Sequence, residues 1–271
     1  YLNPLILLYC NQIVFTVHDL TFELHRQYIP EVSRLTYSIS LFVRRLCIKR
    51  ADCIVVPSLA TKSDLLACYP FVREDRVNVI YHGLDHFDYS QEGICPFAAL
   101  NDSPFYLFVG SRATYKGFST LLRALCLLPL YPPFRLVCVG KPFSPDEQKL
   151  ISETHLNVIA IQASNAELSW LYKQCAAFVY TSFYEGFGFP PLEAHYHGAP
   201  AVICSRIQTS QELCSDFALF YEPYDVQRLA ALLFQTHSMS RRELSIPPHI
   251  PSRLTWAHCS KLHASLYHHL R

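Results

Sequence analysis

Thr181–Pro200 reads TSFYEGFGFPPLEAHYHGAP, with the apolar run CAAFVYTS leading in and AVICS following. That layout predicts a buried strand, a tight loop, a helix start and a second strand. Pro190 and Pro191 suit the first helical positions, where a missing N–H costs nothing. Glu193 is then expected in the first helical turn, where the macrodipole favours negative charge. The N–H groups of Phe187, Gly188, Phe189 and Leu192 are available to an anion at such a start. Gly186 and Gly188 let the backbone approach a ligand with no Cβ in the way. Glu185 and Glu193, with seven residues between them, bracket the turn. The stretch is expected to bind a phosphorylated ligand with hydroxyls nearby.

Outward from this stretch the chain alternates strands and helices, the pattern of a parallel α/β architecture. QIVFTVHDL, ADCIVVPS and RVNVIYHG are the strands of the first part, with helices at RLTYSISLFVRRLCIKRA and LATKSDLLACYP. FYLFVGS, FRLVCVG, LNVIAIQ, CAAFVYTS, AVICS and FALFYEP are the strands of the second. Helices lie between them, ELC is read as a single turn, and VQRLAALLFQTHS is amphipathic. The opening YLNPLILLYC is apolar without a clear period. The expected organisation is a Rossmann-like domain at 1–90, a linker at 91–104 and a second Rossmann-like domain at 105–246. A terminal helix follows at 247–271, after a Pro-rich break. Three strands are few for a complete doubly wound sheet, and the chain begins at Tyr1, so the first domain is expected to be incomplete at its start.

With 271 residues, 51% hydrophobic and 17% charged, the composition is globular, and a net charge of +1 gives no electrostatic case for nucleic acid. No apolar run reaches membrane-spanning length, and no signal peptide is visible. The 11 cysteines form no Cys-x-x-Cys pair and are read as reduced thiols of a cytosolic protein. The 13 histidines form no His-Glu-x-x-His, and His195 and His197 would not share a helix face, so no metal is expected. The basic run RRLCIKR reads as a solvated helix face, with peripheral contact at a membrane surface as the alternative.

In open α/β sheets ligands collect beyond the carboxyl ends of the strands. Four features stand there: His18 after VFTV, Ser111-Arg112 after FYLFVG, Gly140-Lys141 after FRLVCV, and Glu185 after FVYTSFY. The loop from Gly110 to Gly117 holds Arg112 and Lys116 before a helix. It is neither a Walker loop nor a dinucleotide fingerprint. A guanidinium fork beside an ammonium point charge suits a diphosphate; two solvated loop cations are the plainer reading. Asp19 suits a cap on the turn that follows it.

Together these residues resemble glycosyltransferase family 4, retaining enzymes of the two-Rossmann GT-B fold, in which the two domains face a cleft. YEGFGFPPLEA…GAP resembles the family's Glu-x7-Glu motif, VGSRATYKGFSTLLRAL its phosphate-binding loop, and FTVHDL and VPSLATKSDLL the close of its N-terminal domain. TWAHCSKLHASLY resembles the terminal helix that returns toward that domain. The resemblance implies donor diphosphate binding by Arg112 and Lys116, assisted by Ser111, with the N–H groups of Gly186, Phe187, Gly188 and Phe189 presented to the phosphates or the sugar. It implies that Glu193 holds the ribose, that Glu185 lies by the donor sugar, and that His18 stands on the acceptor side. Ile161, Gln162, Ala163 and Ser164 would neighbour the base. The chain lacks an Asp-x-Asp signature, and neither a metal nor another cofactor is implied. Retention could proceed by same-face attack or through Glu185 as a covalent nucleophile.

The implied partners are a nucleotide-sugar donor and a saccharide or lipid-linked acceptor, in the cytoplasm or at the inner membrane face. General likeness to bacterial polysaccharide mannosyltransferases leans toward mannose. Three departures stand out: His195-Tyr196 where small side chains or Met are common, Gln162 where glycine is common, and the absent glycine-rich start. The last allows a second reading, a donor-binding remnant without catalysis. A nucleotide-sugar epimerase, which can share the fold, fits the Glu-x7-Glu setting less well.

Overall fold

The computed structural model describes residues 12–30, 32–85, 95, 100, 104–129, 134–154, 156–238 and 250–270. The apolar opening run, most of the expected linker at 91–104 and the first part of the Pro-rich break lie outside the described residues. The chain divides into two units. One takes Tyr1–Asp85, Tyr184–Phe187 and Pro251–Arg271; the other takes His86–Phe183 and Gly188–Ile250.

The first unit begins with β1 (Val14–Thr16), α1 (Thr21–Leu24), α2 (Arg34–Arg50), β2 (Cys53–Val56), α3 (Leu59–Cys68) and β3 (Val77–Val79). The strands are parallel in the order β1-β2-β3, with Val14 opposite Cys53 and Ile54 opposite Val77. All of β2 is buried, as the middle strand of a parallel sheet covered on both faces must be. Its core collects Val17, Leu20, Ile48, Ile54, Val56, Leu65 and Tyr69. Local capping sets the connections: the Thr21 N–H donates to Asp19 Oδ1 at 2.9 Å, and the Thr61 N–H to Ser58 Oγ at 3.0 Å, starting α3.

The second unit runs β4 (Phe105–Val109), α4 (Phe118–Cys126), β5 (Arg135–Val139), α5 (Pro145–Thr154), β6 (Asn157–Ile161), α6 (Asn165–Gln174), β7 (Ala177–Tyr180), α7 (Phe189–Tyr196), β8 (Val202–Ser205), α8 (Gln208–Cys214), β9 (Leu219–Tyr221) and α9 (Val226–Ser238). ELC, expected as one turn, is the end of the seven-residue α8. Gln208 to Gln211 extend that helix backward, since Ile207 N–H donates to Ser210 Oγ at 3.1 Å and fixes its start. The six strands are parallel in the order β6-β5-β4-β7-β8-β9. The chain therefore winds outward from β4 in one direction, then returns to β7 and winds in the other. Helix α4 buries Phe118, Leu121, Leu122 and Leu125, a spacing that makes one apolar face. Because successive crossovers go to opposite faces at β4 and β7, their loops part and leave a crevice at the carboxyl ends.

The chain ends in α10 (Trp256–His269), which belongs to the first unit. Leu84 N–H donates to Leu254 O at 2.9 Å, Trp256 N–H donates to Asp85 Oδ1 at 2.6 Å, and Cys259 packs with Val55 and Ile80. Gly83 makes this approach feasible, for a Cβ there would lie 2.2 Å from Trp256 N. Gly83→Ala is therefore expected to displace the start of α10 and cost about 1–3 kcal/mol. Urea unfolding followed by the fluorescence of Trp256 reads the loss, and an unchanged midpoint would contradict the close contact.

Candidate functional site

In the second unit the loops after β4 and β7 are clasped together at the reversal of strand order. After β4 the chain passes through a 3-10 turn, Thr114–Lys116, to Gly117, whose φ of 67° suits a glycine N-cap for α4. The Thr181 hydroxyl donates to Lys116 O at 2.6 Å, and the Phe183 N–H to Tyr115 O at 2.7 Å. A Cβ on Gly117 would stand 2.1 Å from Thr181 O, so no other residue permits this spacing. Ser111 is exposed at the strand exit, and Lys116 is half-buried with Nζ 5.0 Å from the Tyr115 ring centroid.

Arg112 is not an open loop cation. Its side chain is 5% exposed, and its Nε donates to Glu147 Oε1 at 2.7 Å. Its Nη2 donates to the carbonyls of Lys141 and Pro142 at 2.7 and 2.8 Å, and the guanidinium lies over Phe143. Nη1 alone is buried without a hydrogen-bond partner. Glu147 also receives the Ser144 N–H at 2.7 Å. Burial pushes its carboxyl up, yet the hydrogen bonds from Arg112 and Ser144 prevail and hold it below the usual range. The arginine thus braces the loop between β5 and α5, a task that no spacing in the sequence announces.

The start of α7 carries the carboxylate of greatest electrostatic interest. Gly188, with φ 85°, is the N-cap, and a Cβ there would meet Tyr180 Oη at 3.1 Å. With Pro190 and Pro191 in the first turn, the helical N–H groups of that turn are those of Phe189 and Leu192. Glu193 is the fifth helical residue and lies beyond the first turn, because the helix starts at Phe189, ahead of both prolines. It is 8% exposed, and Tyr172 donates its hydroxyl to Oε2 at 3.3 Å. Burial pushes the carboxyl up to about 7 against the opposing pull of that hydrogen bond. Tyr172 is itself stacked on His197 at 5.3 Å, whose Nδ1 lies 3.0 Å from Ser169 Oγ. His195 turns the other way and stacks on Phe217 at 3.9 Å. Nothing in WLYKQ marks Tyr172 as a partner for a carboxylate one crossover away.

Beyond β5 and β6 lies a cavity of about 430 Å³ whose lining includes Gly140, Pro142, Phe143, Gln148, Ile161 and Gln162. Ile161 and Gln162, expected near a base, line it; Ser164 instead caps α6 through a reciprocal pair with Glu167. Ala163 packs against the apolar cluster that includes Ile161, Leu171 and Tyr172.

The other expected residues belong to the first unit. His18 is exposed past β1 and stacks on His82 at 5.9 Å. His82 also meets the Phe187 ring edge at 5.0 Å. Burial, then the charges of His18 and His263, lowers the His82 imidazole to about 4, so it is neutral at pH 7. Gly186, expected to admit a ligand to the backbone, instead admits the chain itself: a Cβ there would lie 1.9 Å from His18 O. Its carbonyl accepts from Ser58 Oγ at 2.7 Å and Thr61 Oγ1 at 2.9 Å. The Tyr184 hydroxyl accepts from Leu20 N–H and donates to Asp64 Oδ2, each at 3.0 Å. Glu185, half-buried, is thereby held between two anchored neighbours. His82, Ser58, Thr61, Asp64 and Tyr184 were not singled out by sequence for this work.

Among the described residues no group of three or more His, Cys, Asp or Glu is arranged to hold a metal ion, and no helix is long and apolar enough to cross a membrane.

Comparison with known proteins gives this geometry its context. The description Glycosyl transferases group 1 matches residues 96–242, and Glycosyltransferase Family 4 matches residues 3–86. O-antigen chain mannosyltransferase B of Escherichia coli is 28% identical over 57% of this chain and 43% of its own length. O-antigen chain mannosyltransferase RfbU of Salmonella typhimurium is 26% identical over 79% and 58%. Alpha-maltose-1-phosphate synthase of Mycolicibacterium smegmatis is 26% identical over 84% and 63%. The chain thus spans between 43% and 63% of the length of these relatives. Among solved structures, Anabaena Alr3699/HepE in complex with UDP and glucose superposes with a TM-score of 0.71 at 18% identity, covering 96% of this chain and 72% of that one. Sucrose-phosphate synthase from Thermosynechococcus elongatus gives 0.68 at 23%, covering 96% and 68%. The chain belongs to the group 1 glycosyltransferases, its leading part matches Glycosyltransferase Family 4, and it has the GT-B fold.

Proposed function

We propose that the protein is a retaining, metal-independent glycosyltransferase that moves a hexose, with a lean to mannose, from a nucleotide diphosphate sugar to a saccharide or lipid-linked acceptor. The observation that carries this reading is the clasp at the strand-order reversal. It fixes Lys116 and the start of α4 in one loop and, within the same unit, leads β7 toward the capped start of α7. Such a crevice suits a nucleotide ligand in a doubly wound sheet. The names of the mannosyltransferases among the relatives support the sugar, and UDP in the Anabaena protein supports a nucleotide donor. A cytoplasmic location, at the inner membrane face for a lipid-linked acceptor, belongs to the same reading.

In this reading the glycosidic C–O bond to the diphosphate breaks as the acceptor hydroxyl attacks from the same face, and its proton passes to the departing phosphate oxygen. Charge on the leaving group is met by Lys116, with Ser111, the remaining donor Nη1 of Arg112 and the N–H groups of Gly188 and Phe189 beside it. Glu193 accepts from the ribose hydroxyls, and the cavity edged by Ile161 and Gln162 takes the base. Glu185, with the backbone of Gly186 and Phe187, lies by the sugar, and His18 serves the acceptor.

Lys116→Ala is expected to weaken binding of GDP-mannose or UDP-glucose by about tenfold or more, since a hydrogen bond to a charged group contributes roughly 1.5–3 kcal/mol. Calorimetry measures it, and an unchanged affinity removes the diphosphate assignment. For Glu193→Ala the expected loss is greater with ribonucleotide than with 2′-deoxyribonucleotide ligands; equal losses would count against ribose recognition.

The same carboxylate makes stability depend on pH. Its folded pKa of about 7 stands above the ordinary value of 4.5, so its contribution is fully present below about 4.5 and is lost as pH rises through about 7. Glu193→Gln should flatten thermal stability across that window by an amount on the order of 3 kcal/mol. Parallel melting curves of the two proteins from pH 4 to 8 would contradict the buried state of the carboxyl.

A further inference from the structure

Helix α2 turns an apolar stripe outward. Leu35, Ile39, Phe42 and Leu46 are 72%, 53%, 61% and 39% exposed. Their spacing of four, three and four residues puts them on one face. The unit packs against the other face. Cys47 and Ile48 are buried there, the Tyr37 hydroxyl donates to Phe22 O at 2.7 Å, and Arg44 donates to Glu23 Oε1 at 2.8 Å and Asp19 O at 2.9 Å. Among the described residues, the packing of the unit does not use the stripe. Single exposed leucines are ordinary, but four aligned on one helix make a patch.

Charge identifies what would cover it. Arg34–Arg50 contains five Arg and Lys residues and neither Asp nor Glu. Arg44 points inward and Arg50 lies 3.6 Å from Asp52, while Arg34, Arg45 and Lys49 are exposed along one border of the stripe. Arg45 lies over the ring of Phe71, itself 39% exposed, at 5.0 Å, which widens the apolar surface beside the cations. An apolar stripe with a cationic border matches the boundary of an anionic bilayer, where the side chains enter the acyl region and the cations meet phosphates. A second copy laid antiparallel on the same face would bring cation against cation.

We propose that α2 is a membrane-docking helix, lying in the headgroup plane of an anionic bilayer and holding the protein where a lipid-linked acceptor would be found. This rests on the membrane-facing part of the proposed function, and its test requires no donor.

The whole chain is sedimented with phosphatidylcholine vesicles and with vesicles containing one quarter phosphatidylglycerol. Binding is expected to favour the anionic vesicles by about tenfold and to weaken as salt is raised. The double substitution Ile39→Asp/Phe42→Asp should reduce it about tenfold, and Arg45→Glu/Lys49→Glu should erase the anionic preference. Circular dichroism and urea midpoints verify that both variants are folded. Absence of binding to either vesicle, or binding that neither folded variant alters, would overturn the proposal. A dimer in sedimentation velocity that Ile39→Asp/Phe42→Asp dissociates would overturn it too, assigning the stripe to a second copy.

Discussion

The hydrogen bond from the Thr181 hydroxyl to Lys116 O, 2.6 Å long, ties together the two loops that the sheet would otherwise send apart. Strands β4 and β7 are parallel neighbours whose crossovers leave toward different faces. A single hydrogen bond contributes only about 1 kcal/mol net, so its importance is geometric. It is effective because Gly117 carries no side chain against Thr181 O, and because the Phe183 N–H adds a second bond to Tyr115 O. From that clasp follow the direction of α4 and the position of the Lys116 backbone. Arg112, paired with Glu147, extends the same rigidity to the loop after β5.

A comparable constraint governs the first unit. The Gly186 carbonyl is held by two hydroxyls from the start of α3, while its Cα lies against the His18 carbonyl. Tyr184, two residues earlier, is held by Leu20 N–H and Asp64. Segment Tyr184–Phe187 is thus part of the first unit's cooperative structure, although Phe183 and Gly188 on either side belong to the second. Glu185 and Glu193, read as one motif in the sequence, answer to different packing environments. One is set by hydroxyl and backbone contacts around α3, the other by the tyrosine of α6.

Periodicity made the sheet legible. Runs such as FYLFV, LVCV and CIVV are apolar throughout because both faces of a parallel sheet are covered, and they stand where the strands are. The glycines were legible as special positions, but their reasons were not. Gly188 and Gly117 take positive φ as a loop-to-helix turn allows, whereas Gly186 and Gly83 are there for close approaches by residues 168 and 173 positions away in the chain. Long-range partners of this kind carry no local signal. The same applies to Arg112: its residue type suggests an anion partner, and it found one in Glu147, which the periodic reading placed in a helix without a task. Short helices fared similarly, since α8 is fixed by a serine hydroxyl and not by an apolar stripe.

The buried carboxyl of Glu193 presents the sharpest energetic question in the second unit. Glu193 is 8% exposed, and although the Tyr172 hydroxyl donates to it at 3.3 Å, burial lifts the carboxyl to about 7. An apolar residue of the same size would remove that cost, so the acid is a liability to folding alone. It becomes useful when a ligand brings hydroxyl donors to the carboxylate. Each such donor favours the ionised form and lowers the carboxyl back toward its ordinary range. Under the proposed function, ribose binding and ionisation of Glu193 are then one linked equilibrium, and the cost carried by the empty fold becomes part of the selectivity for a ligand with two adjacent hydroxyls.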